Sequence, residues 1–199
     1  FMKKLVLFDM DGTLTPPRQR MDWKIANALS DLQKNNFEIG IVTGSDMDYL
    51  ESQCNIIFDV SPVDYSKIHY LPCNGTKYYR FTTAGKEAIH ELNMREHIGE
   101  EKYGNIIKVL LDSQHAVRYC LGGREIPFSG TFIQYRGSMI NWCPMGRDAS
   151  ENDRKKWSIL DKKHNIRKAM FRRLHSFPTF TDMTIKYGGE TSFDIYPDG

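Results

Sequence analysis

"KLVLFDMDGTLT", residues 4–15, decides the fold of this chain. A lysine leads a continuous apolar run, Leu5 to Phe8, which is the composition of a strand buried on both faces of a parallel sheet. Asp9 falls at the carboxyl end of that strand. Asp11 follows two residues later, in a segment that Gly12 lets turn.

Working outward, Asp22 stands before a segment in which Ile25, Leu29 and Leu32 recur at helical spacing, and its carboxylate can accept from the free N–H groups of a helix of about three turns. "FEIGIV", residues 37–42, reads as a second strand, followed by the turn "TGSD" and a helical stretch to about Cys54. Strand, helix, strand, helix is a right-handed parallel α/β unit. Ligands of such sheets bind outside the carboxyl ends of the strands, where Asp9 and Thr43 fall.

The pattern changes after about residue 80. Residues 84–121 contain two helical patterns separated by Gly99 and Gly104, and "FIQYRGSMINW", residues 132–142, alternates across Gly137-Ser138 like a hairpin. Residues 151–176 are helical and charged, and "TIKY" and "SFDIY" form a last strand pair turning at Gly188-Gly189. This is a second, α+β domain with an antiparallel sheet, inserted into the first. There is no internal repeat.

Composition excludes several classes. A formal net charge of +2 is too mild for a nucleic-acid binder, and the basic residues of 155–173 are interleaved with Trp157 and Phe171 at core-like spacing. The apolar runs are too short to cross a bilayer and no signal peptide opens the chain, so a cytoplasmic protein is expected. Cys54, Cys73, Cys120 and Cys143 are widely spread and read as buried thiols. The six histidines lack metal-ligand spacing. Phe1 reads as a residue left by a cleaved tag.

A carboxylate at a strand's carboxyl end can attack a phosphoryl group if the repulsion between anions is neutralised, which Mg²⁺ does by holding both. Asp9 is the candidate nucleophile and Asp11 the candidate general acid and base. Both are candidate metal ligands, and the carbonyl of Met10 or of Asp11 would complete the shell. Gly12 lets nearby N–H groups face a phosphate, and Thr13 adds a hydroxyl. The plainer alternative is that Asp9 and Asp11 cap a turn.

The string D-x-D-G-T-L-T after an apolar strand resembles the first motif of the haloacid dehalogenase-type phosphotransferases. That resemblance implies a Rossmann-like core, an aspartyl-phosphate and Mg²⁺, with Thr43, Gly44 and Ser45 as phosphate-binding residues. The same residues could instead cap the helix that begins near Asp46. "FDMDGTLTPPRQ", "TGSD", "NGT", "GTFIQYRGSMINWCPMGR", "LDKKHNIRKAM" and "GGETSFDIYPDG" together resemble, in order and spacing, the eukaryotic-type phosphomannomutases over nearly the whole chain. The resemblance implies a core over 1–83, a substrate-binding cap over 84–196 and the start of a return to the core at 197–199. It implies interconversion of mannose 6-phosphate and mannose 1-phosphate through a hexose bisphosphate, which also serves as activator, and supply of GDP-mannose synthesis. It further implies Arg18, Arg136, Arg147, Arg154, Ser192 and Asp194 as substrate-binding residues, hexose phosphates as partners, no nucleic-acid or membrane partner, and a homodimer formed through the cap. Arginine forks suit phosphate independently of any resemblance, and Ser192 and Asp194, two apart on a strand, share one face.

The chain departs from the family at its end. Family members continue past "YPDG" with a lysine that neutralises phosphate and a further metal-binding carboxylate. Residues 1–199 alone are therefore expected to turn over poorly or not at all. "TGSD" in place of a double glycine leaves a sugar-phosphate phosphatase as an alternative, and a non-catalytic sugar-phosphate-binding or dimerisation module as another.

Overall fold

The structure is a computed structural model that describes residues 4–59, 62–121 and 126–198, the side chains of Cys120 and Leu121 excepted. The readings of Phe1, Gly199 and the Cys120 thiol lie outside the described residues. The chain divides into two compact units, Phe1–Leu92 and Asn93–Gly199.

The first unit is a five-stranded sheet in the order β1-β2-β3-β4-β5, comprising β1 (Lys4–Asp9), β2 (Phe37–Val42), β3 (Ile68–Leu71), β4 (Lys77–Thr82) and β5 (Gly85–Glu91). β1, β2 and β3 are parallel; β4 and β5 run antiparallel. Helix α1 (Trp23–Lys34) starts where Asp22 accepts from the Lys24 N–H at 2.7 Å, the cap read from the sequence. Helices α2 (Met47–Gln53) and α3 (Asn55–Asp59) follow β2. Ile39, Ile41, Ile68 and Tyr70 of the strands pack with Ala26, Leu29, Leu50 and Ile57 of the helices in one apolar cluster.

Two expectations are corrected here. β1 is not buried on both faces: it lies at the sheet edge with Leu5 and Leu7 each more than half exposed, because the helical cluster covers only the opposite side. Residues 85–91 are a strand, not a helix. "GKEAIHE" is exposed along its length and has no apolar face, so its strand form comes from pairing with β4, with Lys77 opposite Glu91 and Thr82 opposite Gly85. The first unit accordingly runs to Leu92 rather than to residue 83.

The second unit is a four-stranded antiparallel sheet ordered β6-β7-β9-β8, with β6 (Ile133–Tyr135), β7 (Ile140–Trp142), β8 (Met183–Gly188) and β9 (Ser192–Pro197). Both sequence-read hairpins are present. Helices α4 (Met94–Ile98), α5 (Glu100–Ala116), α6 (Glu151–His164) and α7 (Ile166–His175) contribute to one core with Ile140, Trp142, Phe193 and Ile195. Trp142 stacks on Phe193 with centroids 5.3 Å apart, and its indole N–H donates to Gln114 of α5 at 2.8 Å. The helix read over 151–176 is broken at Asn165, which adopts the left-handed conformation (φ 53°).

Asp161 and Arg167 tie α6 to α7 and to the β8–β9 turn. The carboxylate accepts from the Arg167 backbone N–H and from Nε, and the guanidinium also donates to the Gly189 carbonyl at 2.8 Å while lying over Tyr187. Removing one partner of a buried pair strands the other. Arg167→Ala is expected to lower the unfolding free energy by about 2–3 kcal/mol in urea titrations followed by circular dichroism. A loss below about 0.5 kcal/mol would make the pair equivalent to an ordinary surface contact.

Candidate functional site

In the first unit the site is built by the loop after β1. Met10 is fully buried, and its carbonyl accepts from the N–H groups of Thr13, Leu14 and Thr15 at 3.2, 2.9 and 3.0 Å and from the Thr15 hydroxyl at 3.3 Å. Gly12, at φ 85°, donates its N–H to the Thr15 carbonyl at 2.7 Å. The loop thus closes on itself while the side chains of Asp9 and Asp11 are left outside it, Asp9 exposed and Asp11 partly covered. The N–H groups of Gly12 and Thr13 themselves bond within the loop. The Met10 carbonyl is the acceptor on which the loop closes.

Asp11 has two partners that sequence reasoning missed or saw incompletely. The hydroxyl of Tyr49, on the first turn of α2, donates to Asp11 Oδ1 at 3.3 Å. Arg18, itself at a positive φ of 62°, presents its backbone N–H and its charge to the same carboxyl. Burial raises the Asp11 pKa and the neighbouring Asp9 charge adds to the rise, against the hydrogen bonds from Arg18 and Tyr49. Asp11 therefore keeps its proton to higher pH than a free aspartate, as a general acid requires. Beneath it the buried Cys54 thiol is pushed up to about 12 by burial and by the Asp11 charge, which makes it an unreactive thiol.

The second loop lies at the carboxyl end of β2. Thr43 is buried, and its hydroxyl accepts from the Ser45 N–H at 3.1 Å. Its backbone holds the turn of β3, accepting from the Asn74 N–H at 2.8 Å. The helix cap here is Asp46, which accepts from the Tyr49 N–H at 3.0 Å, so Thr43, Gly44 and Ser45 are not the capping residues. Ser45 is half-buried.

In the second unit, strand alternation sorts the residues. Phe193 and Ile195 enter the core, while Ser192 and Asp194 share the other face with Asn141, which lies directly opposite Asp194. Asn141 Nδ2 donates to Ser192 Oγ at 3.1 Å and to Asp194 Oδ1 at 2.7 Å, and its Oδ1 accepts from Arg147 Nη1 at 2.7 Å. Arg154, in the first turn of α6, is not part of a solvated face. Its guanidinium donates to the Arg147 carbonyl at 2.6 Å, the Ala149 carbonyl at 3.3 Å and the Thr191 hydroxyl at 3.2 Å. Arg136 stands at the β6–β7 turn, where its guanidinium reaches Gln134 Oε1 at 3.2 Å. Arg147, Arg154, Ser192 and Asp194 are thus brought together around Asn141, and Arg136 stands at the β6–β7 turn. Asn141 was missed because a lone Asn between Ile140 and Trp142 gives no periodic signal; only the strand register puts it against Asp194.

A family profile described as eukaryotic phosphomannomutase matches residues 25–199. The phosphomannomutase of Saccharomyces cerevisiae is 36% identical over 198 residues, covering 98% of this chain and 70% of that protein. That of Dendrobium officinale is 34% identical over 196 residues, covering 98% and 71%, and phosphomannomutase 1 of Homo sapiens is 33% identical over 199 residues, covering 98% and 69%. Among solved structures, the IMP-nucleotidase of Plasmodium falciparum superposes with a TM-score of 0.61 at 13% identity, covering 98% of this chain and 48% of that one. The chain spans about half the length of that structure, and the likeness is one of fold.

Gly146 sets the approach of Arg147. It sits at φ 96°, and a Cβ there would lie 2.6 Å from the Gly130 carbonyl oxygen and 2.7 Å from that of Ser129. Gly146→Ala is expected to cost about 2 kcal/mol of stability, since backbone atoms rather than a flexible side chain would have to move. Thermal denaturation checks this, and an unchanged midpoint would mean that the strand ends yield freely.

Proposed function

Because the chain belongs to the eukaryotic phosphomannomutase family, we propose that it is an intramolecular phosphotransferase interconverting mannose 6-phosphate and mannose 1-phosphate, with a hexose bisphosphate as intermediate and activator. The reading is supported above all by the cluster of Arg147, Arg154, Asn141, Ser192 and Asp194 on one face of the second unit's sheet, which pairs phosphate-binding cations with acceptors for sugar hydroxyls. The first unit carries the transfer and the second the recognition.

In this reading Asp9 attacks the phosphorus and forms an aspartyl-phosphate, while Asp11 protonates the departing sugar oxygen. In the return step Asp11 takes the proton from the accepting hydroxyl as Asp9 is released. Tyr49 and the Arg18 backbone N–H hold the Asp11 carboxyl toward the sugar. Arg18 offsets negative charge at Asp11. Thr43, Gly44 and Ser45 border the transferring phosphoryl group, and Arg136, Arg147 and Arg154 bind the other phosphate.

Mg²⁺ fits the donors present. Among the described residues no three His, Cys, Asp or Glu side chains converge, and Mg²⁺ is ordinarily held by one or two carboxylates, water and substrate phosphate. Asp9, Asp11 and the Asp11 carbonyl would hold it, and its charge would offset the repulsion between Asp9 and the phosphate.

The enzyme acts in the cytoplasm in this reading, upstream of GDP-mannose synthesis, and as a homodimer formed through the second unit. Among the described residues no helix is long and apolar enough to cross a membrane. The dimer is supported by a groove of the second unit, lined by Leu111, His115, Arg118, Phe128 and Phe132, in which Leu111 and Phe128 are about half exposed.

Incubation with mannose 1-phosphate, Mg²⁺ and a hexose bisphosphate, assaying mannose 6-phosphate and free phosphate together, tests the reaction: free phosphate alone would make the protein a phosphatase. In a chain that carries the family's further C-terminal segment, Asp9→Asn is expected to abolish phosphoenzyme formation with the fold intact, and normal turnover by it would end the assignment. Arg147→Ala is expected to lower kcat/KM about tenfold to a hundredfold, the effect of losing a charge-assisted hydrogen bond of roughly 1.5–3 kcal/mol. An unchanged kcat/KM would put the phosphate clamp elsewhere.

A further inference from the structure

The second unit holds one polar side chain whose position is unusual. Asn141 is 2% exposed, yet all three of its hydrogen bonds go to side chains of the binding face and none to structural backbone. Its amide is used with both polarities: the oxygen accepts from the Arg147 cation, and the nitrogen donates to the Asp194 anion and to Ser192. The partners fix the orientation of the amide, since a flipped group would turn its NH₂ to a guanidinium and its oxygen to a carboxylate.

We infer that Asn141 is the positioning residue for hexose-phosphate recognition, a neutral bridge that orients the phosphate-binding Arg147 and the hydroxyl-binding Ser192 and Asp194 as one unit. The inference rests on the reading of this face as the sugar-phosphate site. Only an amide can do this at position 141. An aspartate there would set a carboxylate at the 2.7 Å contact with Asp194, and it would draw the Arg147 charge to itself. A leucine would fill the space and leave Arg147, Ser192 and Asp194 without their shared partner.

Gly188 gives independent support. It lies opposite Ser192 on β8, and a Cβ there would meet Ser192 Oγ at 2.6 Å, Asp194 Oδ1 at 3.1 Å and Asn141 Nδ2 at 3.3 Å. The same three side chains are thus closed in from the neighbouring strand, and a single methyl would displace the cluster without removing any polar group.

The test is calorimetric titration of the full chain and of Asn141→Leu, Asn141→Asp and Gly188→Ala with mannose 1-phosphate and, separately, with inorganic phosphate, with thermal midpoints recorded for each variant. The expected result is an affinity for mannose 1-phosphate reduced about tenfold to a hundredfold in each variant. Asn141→Asp should be as impaired as Asn141→Leu despite matching asparagine in size, and Asn141→Leu should lose less affinity for inorganic phosphate than for the sugar phosphate. Under turnover in a chain that carries the family's further C-terminal segment, KM should rise with kcat nearly unchanged, which a merely destabilised fold would not produce. Adding Asn141→Leu to Asp194→Ala should cost much less than it does in the wild type, because the two act through one network. Wild-type affinity in Asn141→Leu, or full additivity in the double variant, would overturn the inference while leaving the proposed function standing. Failure of the unsubstituted chain to bind mannose 1-phosphate would overturn both.

Discussion

The stacking of Trp142 on Phe193 is the contact on which the second unit's chemistry depends. Both rings are fully buried, and together with the Ile140–Ile195 pair they hold β7 and β9 in a single register. A strand's side chains alternate strictly, so burying Phe193 and Ile195 forces Ser192 and Asp194 to the other face, and burying Ile140 and Trp142 forces Asn141 to meet Asp194. A slip of one residue would carry the polar groups into the helical core and the rings into water, exchanging several kilocalories of apolar burial per ring for stranded polar atoms. The polar face of Asn141, Ser192 and Asp194 is thus held by hydrophobic packing on its reverse side.

The first unit uses a different device for the same end. The carbonyl of Met10 gathers three N–H groups and a hydroxyl, while the Met10 side chain is fixed in the core. Asp9 and Asp11, the residues on either side of it, have no choice but to leave the strand end on the outside. Carboxylates that carry like charge are held near each other by the backbone, so neither needs to be attracted there. Their repulsion shows in Asp11, whose proton affinity rises with burial and with the Asp9 charge.

Much of this was legible in the residues because it is local. The Asp22 cap, the Gly137-Ser138 and Gly188-Gly189 turns and the shared face of Ser192 and Asp194 each depend on a few adjacent positions. What escaped depends on partners distant in sequence. The strand at 85–91 has no apolar face of its own and exists because β4 offers it a ladder. The exposure of Leu5 and Leu7 depends on which side of the sheet receives the helices. Tyr49 meets Asp11, and Asn141 meets Asp194, across 38 and 53 residues of chain. Arg154 shows the converse error of judging by neighbours: its charged surroundings suggest a solvated helix face, but its guanidinium is anchored on the Arg147 carbonyl.

Arg154 and Arg147 also illustrate how neutral acceptors orient a cation. Arg154 donates to the Arg147 and Ala149 carbonyls and the Thr191 hydroxyl, and Arg147 to the Asn141 amide. Each of these acceptors is neutral. A neutral acceptor orients a guanidinium while leaving its net charge in place, whereas a carboxylate in the same position would cancel the charge that attracts phosphate. Carbonyl and amide partners therefore preorganise the cations, and the free energy of their fixation is supplied by folding. The same logic accounts for the amide at Asn141: a bridge between opposite charges has to be neutral if both charges are to remain available to a sugar phosphate.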